Sequence, residues 1–97
     1  MTPLSPTERP KLSARARLQA DKVTGRPILL YPEGVLVLNA TGEAIVDLCR
    51  GDLTLEEIIS QLTAKYQAPA DAVARDVIAY LDRLRAVNLL ETSTAHG

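Results

Sequence analysis

From Lys11 to Asp21 the chain alternates. Leu12, Ala14, Ala16, Leu18 and Ala20 fall between Lys11, Ser13, Arg15, Arg17, Gln19 and Asp21. A period of two over such a length is the signature of a strand with one face on a core, although Ala and Arg also favour helix. The alternation predicts a strand over 11–21, ended by the turn signal Gly25-Arg26-Pro27. Two apolar runs, Ile28–Tyr31 and Val35–Leu38, then flank Pro32-Glu33-Gly34. Pro32 suits the second position of a β-turn, and Gly34 can take the left-handed conformation that closes a hairpin through a bulge. The three segments read as an antiparallel ribbon. In the returning strand Val35 and Val37 point one way, Leu36 and Leu38 the other, and neither face is polar. Such a strand needs cover on its second face or along its edge.

After Asn39, which can cap a helix, the apolar period becomes helical. Ala44, Ile45, Leu48 and Cys49 form one face, and Gly51 suits the position just past a helix end. Thr54-Leu55-Glu56-Glu57 reads as a capping box opening a second helix, with the stripe Leu55, Ile58, Ile59, Leu62 and Tyr66. Pro69 and Asp71 suit the first turn of a third. Its apolar face is Val73, Val77, Tyr80, Leu81, Leu84 and Val87, widened by Ile78. Asn88 can end that helix, and Leu89-Leu90-Glu91 can add a short extended segment. The expected fold is α+β and winged helix-turn-helix-like: a three-stranded antiparallel sheet followed by three helices. Residues 1–10, with three prolines, read as disordered. Residues 11–91 read as the domain and 92–97 as a flexible tail.

The chain has 97 residues, 46% of them hydrophobic, without Trp or Phe. That is enough for one domain with an aliphatic core. No apolar run nears the ~20 residues of a membrane span, and the N-terminus lacks the apolar stretch of a secretory signal, so a cytoplasmic protein is expected. Net charge is −1 but uneven. Residues 1–27 carry six basic residues against Glu8 and Asp21, whereas the rest carries five basic and ten acidic ones. This suggests either a basic arm over an acidic body or a solvated N-terminal segment.

Catalytic chemistry is hard to assemble. The single histidine, His96, falls in the tail, which leaves no Ser–His–Asp constellation and no histidine metal site. Cys49, on the apolar face of the first helix, reads as a buried, inert thiol. Glu56 and Glu57 point about 100° apart on a helix. The sequence therefore predicts no enzyme, no metal and no cofactor. A winged helix often binds DNA through its last helix. Here Arg75, Arg83 and Arg85 are matched by Asp71, Asp76 and Asp82, a poor surface for phosphates. The basic residues of the first strand keep nucleic-acid binding as the alternative. A structural adaptor without a peptide ligand is a third option.

The ordered motifs LLYPEGVLVLN, LCRGD, TLEEII and DVIAYLDRL, spread from about Lys11 to Glu91, resemble the PqqD family of pyrroloquinoline quinone biosynthesis. Arg50 and Asn88 depart from the usual pattern. The resemblance implies a peptide chaperone with the fold of a RiPP recognition element. Such a protein binds the ribosomal precursor peptide PqqA and presents it to the radical SAM enzyme PqqE, which joins a Glu and a Tyr side chain. It further implies that the peptide adds as a strand beside the third strand and against the third helix. On this sequence the edge would be Val35, Leu36, Val37 and Leu38. Val77, Ile78 and Leu81 would form the wall, and Tyr31 would be a lid or rim contact. Each of these residues could equally belong to the core. A monomer is one expected state, and a homodimer exchanging N-terminal strands the other.

Overall fold

The computed structural model describes residues 4–93. In chain order the elements are β1 (Arg9–Leu12), β2 (Arg17–Ala20), β3 (Pro27–Tyr31), β4 (Gly34–Val37), α1 (Ala40–Asp47), α2 (Leu55–Tyr66), α3 (Ala70–Ala86) and β5 (Leu90–Ser93). An antiparallel sheet of order β2-β3-β4 precedes three helices, the α+β, winged-helix-like arrangement that the pattern predicts. A second, two-stranded sheet joins β1 to β5, from Arg9 opposite Ser93 to Leu12 opposite Leu90.

The expected strand over 11–21 is therefore two strands in two sheets. The break lies at Ser13, whose carbonyl accepts from Ala16 N–H at 3.0 Å and whose hydroxyl accepts from Arg15 N–H at 3.2 Å. A serine turn of this kind preserves the alternation while redirecting the chain.

Residues 1–10 also differ from expectation. Residues 1–3 lie outside the described residues, but Leu4 is buried, Glu8 Oε1 accepts from Ser5 N–H at 2.7 Å, and Arg9 and Pro10 open β1. The carbonyls of Glu8 and Pro6 accept from Leu55 and Glu56 N–H at 2.8 and 3.1 Å. The Thr54 hydroxyl takes Glu57 N–H, and Glu57 Oε1 takes Thr54 N–H, completing the capping box. The first N–H groups of α2, which no helical carbonyl can reach, are thus met by the N-terminal segment and the cap together. At the other end Thr92 and Ser93 belong to β5, while residues 94–97, His96 included, lie outside the described residues.

Helix α1 begins as expected, with Asn39 Oδ1 accepting from Gly42 N–H at 2.7 Å. It ends earlier, at Asp47, because the following residues pair with β1. Cys49 carbonyl accepts from Leu12 N–H, and Gly51 N–H donates to Pro10 carbonyl. Gly51 sits at φ +84°, where a side chain would be strained and would meet the Lys11 chain at 3.3 Å. Helix α3 is followed by Asn88 at φ +60°, the left-handed stop expected there.

Leu29, Ile45, Leu55, Ile58, Leu81, Leu84 and Leu89 are fully enclosed between the sheet and the helices. Burying each such side chain contributes about 1.5–3 kcal/mol. This core fixes β4 on one side of a groove and α3 on the other.

Candidate functional site

Tyr31 pairs with Gly34 across the Pro32-Glu33 turn, followed by Leu30 with Val35, Leu29 with Leu36 and Ile28 with Val37. One hydrogen bond fixes the polarity of the strand: Leu38 N–H donates to Pro27 carbonyl at 2.9 Å. In an antiparallel ladder inward and outward backbone groups alternate. Leu38 points inward, so Leu36 and Gly34 do as well, and the N–H and C=O of Val35 and Val37 point away from β3. As β4 is an edge of its sheet, these four groups face solvent. The side chains are also exposed, Val35 at 53% and Val37 at 60%. No element of the described chain covers them.

The turn is held from outside. Arg15 Nη2 lies 2.8 and 2.6 Å from the two carboxylate oxygens of Glu33. This ion pair ties the β3–β4 turn to the segment preceding β2. Tyr31 is half-buried and packs on the core, with its hydroxyl facing Gly34.

Across from β4, a groove of about 110 Å³ is lined by Leu36, Val37 and Asn39 on one side and Tyr80, Arg83 and Leu84 of α3 on the other. It continues past Asn39 and Arg83 toward Thr41, Gly42, Asp76 and Ala79. Tyr80 is seated by α1: a Cβ on Gly42 would lie 2.6 Å from the Tyr80 hydroxyl oxygen. The glycine early in α1 thus makes room for the phenol. Burial raises the Tyr80 pKa, and the Arg83 guanidinium opposes the rise. Arg83 is exposed and has no carboxylate partner among the described residues, whereas Arg85 on the same helix pairs with Asp82 at 3.4 Å.

The expected wall is placed differently. Val77 and Leu81 are core residues, at 1% and 0% exposure. Ile78 is half-buried on another flank of α3, two positions and hence about 200° around the helix from Tyr80. Leu38 lies just past β4, buried, with its N–H already used. Of the residues singled out by sequence, the structure brings Val35, Leu36 and Val37 together at the edge. Beside them stand Tyr80 and Arg83, over Leu84, which is as buried as Val77 at 1% exposure. Tyr80 and Leu84 belong to the apolar face visible in the sequence, but Arg83 interrupts it, and apolar periodicity alone passes over a charged groove residue.

Two other places compete as sites. β2 is the opposite edge of the same sheet, but it exposes Arg17, Gln19 and Ala20, and charged or polar side chains protect an edge against pairing. A hollow of about 150 Å³ between α2 and α3, lined by Leu62, Tyr66, Ala68, Val73 and Val77, has no strand edge beside it. Among the described residues no cluster of His, Cys, Asp or Glu could hold a metal ion, and no helix is long and apolar enough to cross a membrane. Cys49 is buried, and desolvation pushes its thiol up to about 12.

Comparison with known proteins bears on the same elements. Residues 27–90, from β3 into β5, match the model of the family described as coenzyme PQQ synthesis protein D. A PqqA binding protein of Bradyrhizobium diazoefficiens is 36% identical over 81 residues, covering 84% of this chain and 79% of that one. One of Methylococcus capsulatus is 40% identical over 65 residues, covering 67% and 70%. In solved structures, the PqqD truncation of Methylobacterium extorquens PqqCD, described as a functional stand-alone RiPP recognition element, superposes with a TM-score of 0.77 at 28% identity, covering 91% and 94% of the two chains. TbiB1, solved in complex with the TbiA(beta) leader peptide, superposes at 0.70 and 28%, covering 84% and 94%. With a family match over residues 27–90 and a relative 36% identical over 84% of its length, the chain belongs to the PqqD family.

Proposed function

We propose that the protein is a peptide chaperone of pyrroloquinoline quinone biosynthesis. It binds the precursor peptide PqqA as a strand added to β4 and presents it to the radical SAM enzyme PqqE for Glu–Tyr cross-linking. One observation carries the reading: the outward backbone groups of Val35 and Val37 lie beside the groove of Tyr80, Arg83 and Leu84. An added strand pairs those groups, while its alternate side chains enter the groove or lie against the exposed valines. Each backbone bond adds about 0.5–1.5 kcal/mol net. Affinity therefore needs the side chains as well, and these supply the selectivity. The PqqA binding proteins among its relatives support the choice of peptide, and TbiB1, solved with a leader peptide, supports peptide binding by a chain of this fold. The chain does no chemistry itself in this reading and works in the cytoplasm. One copy supplies both walls, so a monomer suffices and exchange of N-terminal strands is not required.

The test is titration of labelled protein with synthetic PqqA, followed by amide NMR. Shifts should concentrate at Val35, Val37, Tyr80 and Arg83 and spare the outer face of α2 at Gln61 and Ala64. Shifts confined to β2, or none at all, would refute the reading. Purified protein without PqqE should leave the mass of the peptide unchanged.

A further inference from the structure

We infer that Arg83 selects an acidic side chain of the bound peptide, placed two residues from an apolar one. The inference rests on the strand-addition reading and adds the chemistry of what is selected. The groove has two ends. Leu36 and Leu84 line only the hollow beside the strand, Asp76 and Gly42 only its continuation, and Arg83, Tyr80 and Asn39 line both. Arg83 therefore sits at the junction. The order from Leu84 through Tyr80 to Asp76 runs back along α3, while that from Leu36 to Asn39 runs forward along β4, so strand and helix pass in opposite directions.

On an added strand, side chains point alternately to the two faces, every second one on the same face. The peptide residue opposite Leu36 faces the groove and meets half-buried Leu36, an apolar seat with buried Leu84 beneath it. The next groove-facing residue, two positions on toward Asn39, arrives at Arg83. There the guanidinium has no carboxylate partner among the described residues, and Tyr80 lines the same two hollows. A carboxylate at this point completes the pair in a site drier than open surface. The same peptide carboxylate one groove position further would approach Asp76 and be repelled, so the two charges of α3 together fix the register.

The experiment is a calorimetric titration of synthetic PqqA, and of a panel in which each acidic residue is changed in turn to its amide. These peptides are titrated against the parent protein and its Arg83→Gln, Arg83→Glu and Val37→Pro variants. Arg83 is exposed, so its replacement leaves the fold intact by circular dichroism. Arg83→Gln should weaken PqqA binding roughly five- to tenfold, and Arg83→Glu further. A single amide peptide should show the same loss against the parent and no added loss against Arg83→Gln, the mark of a coupled pair. Lysine at that peptide position should restore binding to Arg83→Glu. The inference is overturned if the Arg83 variants bind PqqA as the parent does, or if they lose affinity equally for every member of the panel. If Val37→Pro abolishes binding while the Arg83 variants retain it, the acidic selection falls and strand addition stands. If Val37→Pro also binds as the parent does, strand addition itself has failed.

Discussion

Strands β1 and β4 are equally short, yet their edges are treated in opposite ways. β1 is occupied on both sides. Ser13 N–H and the β1 ladder engage the segment from Leu89 to Ser93 on one side, while Cys49 carbonyl and Gly51 N–H take up Leu12 and Pro10 on the other. β4 is paired on one side and open on the other, with two valines exposed. Unpaired, flat, apolar edges invite association. The segment of β5 and the loop after α1 close β1, while β4 leaves an apolar edge open beside a helix groove. On the proposed function, the difference separates structure-holding pairing from pairing kept for another chain.

The sharpest way to break this comparison is proline. At Val37 it removes an N–H that points to solvent, and it constrains Leu36 to the extended backbone that Leu36 already has. Val37→Pro should fold like the parent and lose PqqA binding by more than tenfold. At Leu36 proline removes an inward N–H, worth about 0.5–1.5 kcal/mol. It also removes a leucine packed on the core, worth about 2–5 kcal/mol. For a domain this small such a sum is comparable with the whole stability, and Leu36→Pro should be largely unfolded by circular dichroism. Equal behaviour of the two variants would mean that the inward and outward assignment is wrong.

Next in size is the seat of Tyr80. Gly42→Ala places a methyl within 2.6 Å of the phenol oxygen. Helix propensity gains up to about 1 kcal/mol from this change, but overpacking costs about 1–3 kcal/mol, so thermal unfolding should show a net loss. Tyr80 must also swing toward β4, and PqqA binding should weaken several-fold. Gly42→Ala with Tyr80→Leu should recover the stability but not the selectivity. If the single variant keeps full affinity, Tyr80 does not shape the peptide groove.

How much of this was legible in the sequence differs by element. The capping box at Thr54 and the left-handed Asn88 are local chemistry, and each appears where its residues predict it. Pro32 and Glu33 do make the turn, but Gly34 pairs directly with Tyr31 and is not left-handed, so the expected bulge is absent there. The two-stranded sheet was not legible, because β1 and β5 lie at opposite ends of the chain and no local pattern pairs them. The same long-range pairing shortened α1: Leu48 and Cys49 continue the helical spacing, but β1 claims the backbone of Cys49 and Gly51. At the site, the edge valines could be read as an uncovered strand. Their outward polarity could not, because it depends on a single hydrogen bond from Leu38. Which α3 residues stand beside the edge was not legible for a related reason. Apolar periodicity marks Val77, Ile78 and Leu81 but does not say which flank of the stripe faces the sheet, and the structure turns Tyr80 and Arg83 toward it.

Acid should act on the closed half of the molecule and spare the open edge. The Glu57 carboxyl is held below its ordinary value of 4.5 by Thr54, through its backbone N–H and then its hydroxyl. Glu8 is lowered mainly by Ser5 N–H. A lowered folded-state pKa contributes stability that is complete above the unfolded value and is lost as pH falls through the folded one. Stability should therefore decline below about pH 4.5, and Glu57→Gln should flatten that decline. Thr54→Ala, which removes the hydroxyl cap, should cost about 1 kcal/mol at neutral pH and leave PqqA affinity unchanged. A loss of affinity in Thr54→Ala at full folding would tie the two halves together.

The smallest effect tests the seam beside β1 from inside. Cys49 is 2% exposed, its Sγ–H donates to Ile45 carbonyl at 3.2 Å, and its own carbonyl takes Leu12 N–H. Cys49→Ala keeps the backbone bond and removes one buried sulfur, a loss of about 1 kcal/mol, and PqqA affinity should stay within about twofold. The thiol also reports on closure. Only thiolate reacts, and burial holds this pKa at about 12, so at pH 8 roughly one molecule in ten thousand carries it, against about one in four for an ordinary cysteine. Labelling by a disulfide reagent should thus be slow in the folded protein and fast in denaturant, while the amides of Val35 and Val37 exchange rapidly throughout and become protected only with PqqA bound. Rapid labelling of the folded protein at pH 8 would show that the β1 seam opens as readily as the β4 edge, and the contrast between the two strands would be lost.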